Sequence, residues 1–297
     1  MKTTILKGIS QFLLPAVLTL TTMSSVQAAT ESELEFQVYN GGENSFFVNS
    51  VLVTGEKDAV LIDAQFTKAK AHQLVAEILN SGKQLKMVYI SHGDPDYYFG
   101  LEVIKQAFPD VKVFATEPTV NWIKKTVDKK VGFWGPKMGA NAPTKPVIPE
   151  VIKGSSFDLE GHSFNIVGLD GDLPGRTFLW VPDLKAVMGG VNVFAGLHLW
   201  TADTQTKASR KAWAGTLDNI LALNPTTVIP GHAANQDVQD SSLVKYNLKY
   251  LADFEQALET HKTSAALIKS MQAKYPENKL GLALEIGAKV NTGEMKW

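Results

Sequence analysis

The chain has 297 residues, 44% hydrophobic and 20% charged, which is enough apolar material for one large core or two small ones. Lys and Arg number 29 against 30 Asp and Glu, a formal charge of -1 that excludes the basic footprint of a nucleic-acid binder and leaves no acidic tail. With no cysteine, a disulfide scaffold, a thiolate nucleophile and thiolate metal ligands are excluded as well.

Residues 1–29 carry Lys2 and Lys7, then an apolar run broken by Pro15 and several Thr, then small residues ending at Ala28-Ala29. This is the layout of a secretory signal, with cleavage expected after Ala28 or Ala29. The run is short for a membrane span, which needs about 20 apolar residues. The expectation is a bacterial periplasmic or secreted protein with no stable membrane anchor once the signal is removed.

From residue 33 to 65 the pattern is strand-like, with turns at Gly41-Gly42 and at Gly55 to Asp58. "TKAKAHQLVAEILNSG" places Ala71, Leu74, Val75 and Ile78 on one helical face and ends at Gly82. "KMVYIS" is a buried strand that runs into His92-Gly93-Asp94-Pro95-Asp96-Tyr97, followed by a short helix over 100–108 and the strand "VKVFAT". Thr119 to Lys130 reads as helix. The Gly- and Pro-rich stretch 131–150, with Phe133, Trp134 and Met138, reads as a long loop that covers a site or tucks its aromatics inward. Strands return over "SSFDLEGHSFNIVGLDGD" and "RTFLWVPDLKAVMGGVNVF", then an amphipathic helix, "TTVIPGH", a helix over 241–260 and a shorter one after it. Hairpins followed by β/α units occur twice. Two such halves, stacked sheet to sheet with helices outside, make an α/β chain folded as a four-layer αβ/βα sandwich. The expected division is 1–29 signal, 30–240 sandwich, and 241–297 a helical extension packed on it.

Three places deliver a polar residue where a strand or sheet run ends: His92 with Asp94 and Asp96, Asp172, and His232. Strand ends hold backbones rigid while side chains converge, and imidazole with carboxylate is an ordinary donor set for zinc, iron or manganese. Each also has a plain structural reading. Asp94 and Asp96 flank Pro95 at a helix start, where Asp caps well, and Asp172 sits in a turn-forming composition. Arg176 pairs with a carboxylate or orients an anionic substrate, and His198 packs beside Trp200.

"VLIDAQF", "YISHGDPDYYFG", "DLPGRTFLWVPDLKAVMGGVNVF" and "VIPGHA" together resemble, in order, the motifs of the metallo-β-lactamase fold superfamily. The resemblance implies a metal site drawn from His92, Asp94, Asp96, Asp172 and His232. It also shows departures from the family pattern: Asp94 stands for its second His, Tyr97 for the His after Asp96, Asp172 for its third His, and Val191 for its bridging Asp. Loss of that bridge implies one divalent ion rather than two. The function so implied is an exported metallo-hydrolase acting on an ester, lactone, thioester or related bond of a small molecule, with Asp96 orienting or deprotonating water. The alternative is a non-catalytic binding or structural protein with a degenerate site.

Overall fold

In the computed structural model, Met1 and residues 33–297 are described, so the expected signal segment lies outside the described residues. Alternation along the strands sets the layers. In β3 (Asp58–Ile62), Val60 and Ile62 enter the core between two sheets, while Ala59 and Leu61 belong to the outer core with the helices. The first sheet has the order β1 (Glu35–Asn40), β2 (Asn49–Thr54), β3, β4 (Gln84–Ile90), β5 (Lys112–Ala115), β6 (Glu150–Val151). Its first three strands are antiparallel hairpins and the rest are parallel.

The second sheet runs β12 (Thr227–Val228), β10 (Ala186–Met188), β9 (Phe178–Val181), β8 (His162–Val167), β7 (Ser156–Leu159). Phe164, Ile166, Leu179, Val181 and Met188 meet Val51, Val53, Ile62 and Tyr89 of the first sheet. Outside the sheets, Leu74 and Ile78 of α1 (Lys68–Asn80) and Trp213 and Leu217 of α5 (Lys207–Ala222) join Leu61, Val88 and Val187 in the outer core. The four-layer αβ/βα sandwich expected from the sequence is the architecture found. A short parallel pair, β11 (Phe194–Ala195) with β13 (His232–Ala233), carries His232 to the sheet ends.

Two short helices, α2 (Pro95–Tyr98) and α3 (Leu101–Ala107), follow β4. Between them Gly100 lets backbones meet: a Cβ there would lie 1.9 Å from the Ala64 carbonyl oxygen and 2.8 Å from the Ala71 Cβ. Gly100→Ala is therefore expected to cost about 3 kcal/mol or more, the upper range for overpacking, because a backbone carbonyl cannot swing away. Urea denaturation checks this, and a midpoint equal to wild type would refute it.

One expectation is corrected. Residues 131–138 are not loop: α4 runs Glu117–Met138 unbroken, followed by a short 3-10 turn at Gly139–Asn141. Pro136 is tolerated because it falls in the last turn, where the one N–H it lacks would have served Gly132, an exposed residue. The helix begins at Thr116, whose hydroxyl accepts from Thr119 N–H, and stops at Gly139 with φ +58°. At the chain's end α6 (Ser241–Thr260), α7 (Ser264–Lys274) and α8 (Gly281–Asn291) pack on the sandwich. Buried Asn247 of α6 holds β11 by accepting from Phe194 N–H at 3.0 Å and donating to Phe194 C=O at 2.8 Å. His198 is also buried, its Nδ1 2.9 Å from the Tyr250 hydroxyl of α6. Among the described residues no helix is long and apolar enough to cross a membrane.

Candidate metal centre

The loop after β4 is fixed from behind. Asp63, at the end of β3, accepts from Ser91 N–H at 2.8 Å and from the Ser91 hydroxyl at 2.6 Å, and the same hydroxyl oxygen accepts from Gly190 N–H at 2.7 Å. These bonds lock the two sheets' polar ends together directly before His92. Asp63 has φ +63°, a left-handed conformation that Asp tolerates better than most residues. Burial pushes its carboxyl up to about 7, against the pull of the Ser91 hydrogen bonds.

In front of this brace, His92, Asp94 and Asp203 each offer a ligand atom, all within 4.8 Å of one another. His92 is buried and neutral. Desolvation pushes its imidazole down to about 4 despite the Asp94 charge nearby. Asp94 accepts from the Lys130 ammonium at 2.5 Å and approaches His92 Nδ1 at 3.6 Å. Burial alone would raise its carboxyl, but the Lys130 ammonium outweighs that and holds it below the ordinary range. Lys130 reaches in from α4 and also donates to Gly93 C=O at 3.2 Å. Asp203 lies 3.4 Å from Arg176, itself buried, with its guanidinium 4.2 Å from the Trp213 ring centroid and donating to Val191 C=O at 3.3 Å. Burial raises Asp203 to about 6, with Arg176 opposing the rise.

Behind these lies a second group. His232 Nδ1 donates to Phe46 C=O at 2.8 Å, which fixes the neutral tautomer and leaves Nε2 as an acceptor. Nε2 faces the Tyr97 hydroxyl at 3.0 Å and Asp96 Oδ2 at 3.5 Å. Desolvation pushes His232 down to about 4, and burial together with the Asp94 charge raises Asp96 well above the carboxylate range. Tyr97 stays a neutral hydroxyl, raised by burial and by Asp96. Two cavities meet at Asp94 and Lys130. The inner one is walled by Phe46, Trp134, Val191, Phe194 and Trp200 beside Asp96 and His232, and the outer one, also mainly apolar in surface, carries His92, Asp172, Arg176 and Asp203 on its walls.

The Metallo-beta-lactamase superfamily profile matches residues 44–232, well over half of the chain. This chain belongs to the metallo-beta-lactamase superfamily. Among solved structures it is similar to a metallo-beta-lactamase family protein from Thermus thermophilus, at 14% identity and TM-score 0.59, covering 87% of this chain and 93% of that one. It is also similar to the DIM-1 metallo-beta-lactamase, at 20% identity and TM-score 0.53, covering 75% and 97%. A metallo-beta-lactamase from Pontibacter korlensis matches at 18% identity and TM-score 0.50, covering 76% and 97%. These likenesses concern the fold. No curated protein matches the chain.

Against the superfamily's two-ion arrangement the donor set divides. At the front, an imidazole and two carboxylates converge, and this chemistry fits one divalent ion. At the back, a second ion has only Asp96 and His232 as ordinary donors. Tyr97 puts a phenol, whose ionisation burial opposes, where an ordinary donor is expected, and Val191, buried and apolar, offers no bridging carboxylate. The back group therefore offers an ion two ordinary donors against three at the front. His92 and Asp94 thus stand together with Asp203, while Asp96 and His232 face each other behind them. Asp172 is exposed on the turn before Arg176, on the outer cavity wall but not among the three grouped residues.

Asp203 and Lys130 escaped the sequence reading. Lys130 could have been found: with Ile123, Val127 and Trp134 it falls at i, i+4, i+7 and i+11, a charge placed on a helix's inner stripe. For Asp203 the only hint is the cation at Arg176, which needs a carboxylate once buried.

Proposed function

We propose that this chain is an exported superfamily hydrolase working with one divalent ion, held by His92, Asp94 and Asp203, on a small molecule that has an apolar part. The observation that carries the proposal is the convergence of those three donors within 4.8 Å, with Asp94 on the wall shared by the two cavities. An ion bound there would supply a Lewis acid and an acidified water, the chemistry that opens esters, lactones and thioesters. A set of one imidazole and two carboxylates is harder than three imidazoles and favours iron or manganese beside zinc.

The chain's own residues divide the remaining work. Asp96 Oδ2 lies 3.5 Å from His232 Nε2, and burial with the nearby Asp94 charge raises its carboxyl, which suits it to give a proton when protonated and to take one when ionised. Tyr97 orients the His232 ring through its hydroxyl. Phe46, Trp134, Phe194 and Trp200 keep water from the inner cavity and receive the apolar part of the substrate.

Elemental analysis of protein purified without added metal tests this. About one equivalent of a divalent ion is expected in wild type and in His232→Ala, and little in Asp94→Ala or Asp203→Ala. Asp172→Ala shows whether the outer wall adds a donor. Absence of metal from wild type, together with no chelator-sensitive turnover on an ester, lactone and thioester panel, would sink the proposal.

A second reading, a non-catalytic binding protein, draws on one observation: Asp94 and Asp203 are already paired with Lys130 and Arg176. It expects added divalent ions to leave thermal stability unchanged.

A further inference from the structure

Helix α4 has an inner face and an outer one. Inside, Ile123 is buried and Val127, Val131 and Trp134 pack against the core, while Lys130 reaches Asp94. Outside, Trp122 and Phe133 are 45% and 54% exposed, the largest exposed side chains on this helix. They are eleven residues apart, about three turns at 3.6 residues per turn, and so stand in line on one face. Lys125 and Lys129 lie exposed between them. Lys125 sits over the Trp122 ring at 5.8 Å and Lys137 over the Phe133 ring at 3.5 Å. From Trp122 to Lys137 there are five Lys (124, 125, 129, 130, 137) and one acid, Asp128, in a chain whose total charge is -1. Lys130 turns inward to Asp94, so Lys125, Lys129 and Lys137 are the positive groups that accompany the two half-exposed rings, and Trp122 also borders the outer cavity beside Gly93.

Exposed Trp and Phe accompanied by lysines along one helix suit the headgroup zone of an anionic bilayer. There the rings enter the acyl boundary and the ammonium groups meet lipid phosphates. A nucleic acid would use the charge, but it has no apolar layer for Phe133 to enter. We propose that the outer face of α4 docks reversibly on anionic lipid surfaces through Trp122, Lys125, Lys129, Phe133 and Lys137. Trp134, next to Phe133, lines the inner apolar cavity, so docking would set that cavity beside the lipid.

The test is sedimentation of the full chain with phosphatidylcholine vesicles, with and without phosphatidylglycerol, at low and at 0.5 M salt. Lys125→Glu/Lys129→Glu and Phe133→Ser variants with the same N-terminus are run in parallel, so the N-terminal segment contributes equally to all. Binding is expected only to the phosphatidylglycerol vesicles and is expected to weaken with salt. It should fall more than tenfold in the double variant, at about fivefold per lysine, and at least threefold in Phe133→Ser. All three positions are exposed, so unchanged melting curves will show that the variants are folded. Equal binding by the double variant, or equal binding to neutral vesicles, overturns the proposal. So does heparin competition with Phe133→Ser unaffected, which would mark a polyanion site instead.

Discussion

Lys130→Met is expected to tighten divalent-ion binding at least tenfold and to make the ion-free protein less stable by about 2 kcal/mol. The ammonium lies 2.5 Å from Asp94 Oδ1, so an arriving ion must first displace a tethered cation that never diffuses away. Removing the tether frees the carboxylate for the ion. It also leaves Asp94 without its closest countercharge, and breaking a fully buried pair costs about 3–5 kcal/mol. Asp94 and Lys130 keep 26% and 19% of their side chains in contact with solvent, which reduces the expected loss. Excess manganese or zinc should then raise the melting midpoint more in the variant than in wild type, since ligand stabilisation grows with affinity. Calorimetric titration reads the affinity directly. An unchanged or weaker constant in Lys130→Met would show that Lys130 does not compete for the site. No binding in either protein would instead dispose of the metal centre itself.

Asp63→Asn is expected to flatten the dependence of stability on pH between about 4 and 7. The folded chain holds the Asp63 carboxyl at about 7, raised by burial, whereas an unfolded Asp titrates near 3.9. The raised acid is stabilising in its protonated form. Its contribution is complete below about pH 4 and is lost as pH climbs through 7, because the unfolded chain releases the proton first. The full swing is up to about 4 kcal/mol, from roughly three pH units at 1.36 kcal/mol each. Asn retains an oxygen for the Ser91 N–H and cannot ionise. Asp96 and Asp203 titrate in both proteins, so the difference between the two urea-midpoint curves isolates Asp63. Parallel curves would show that Asp63 is ionised throughout.

Much of the sandwich was legible because burial writes a simple pattern into a strand. The run Ala59 to Ile62 is apolar throughout, so it reads as a buried strand while its two faces are assigned only by the fold, and α6 begins and ends where its amphipathic stripe does. His92, Asp94, Asp96 and His232 stood out as polar residues following such runs. The C-terminal half of α4 was hidden by Gly132, Gly135, Pro136 and Gly139, whose intrinsic preferences argue for loop. Packing of Val131 and Trp134 against the core overrides those preferences. Lys130 lies in the part read as helix, but Trp134, which extends its inner stripe, lies in the part that was not. Asp203 stands in an irregular segment between β11 and α5, where no period exists and only the folded position of Arg176 explains it.

The double pairing of Asp94 with Lys130 and Asp203 with Arg176 also governs how a solute arrives. Two negative and two positive charges, held in adjoining pairs, nearly cancel at a distance and leave exposed Asp172 as the carboxylate of the outer wall outside that balance, so the ion-free cleft exerts only a weak long-range pull. Encounter rates with charged solutes should then vary little with ionic strength. Loading the cleft with a divalent ion would break the balance and make capture of anions salt-sensitive.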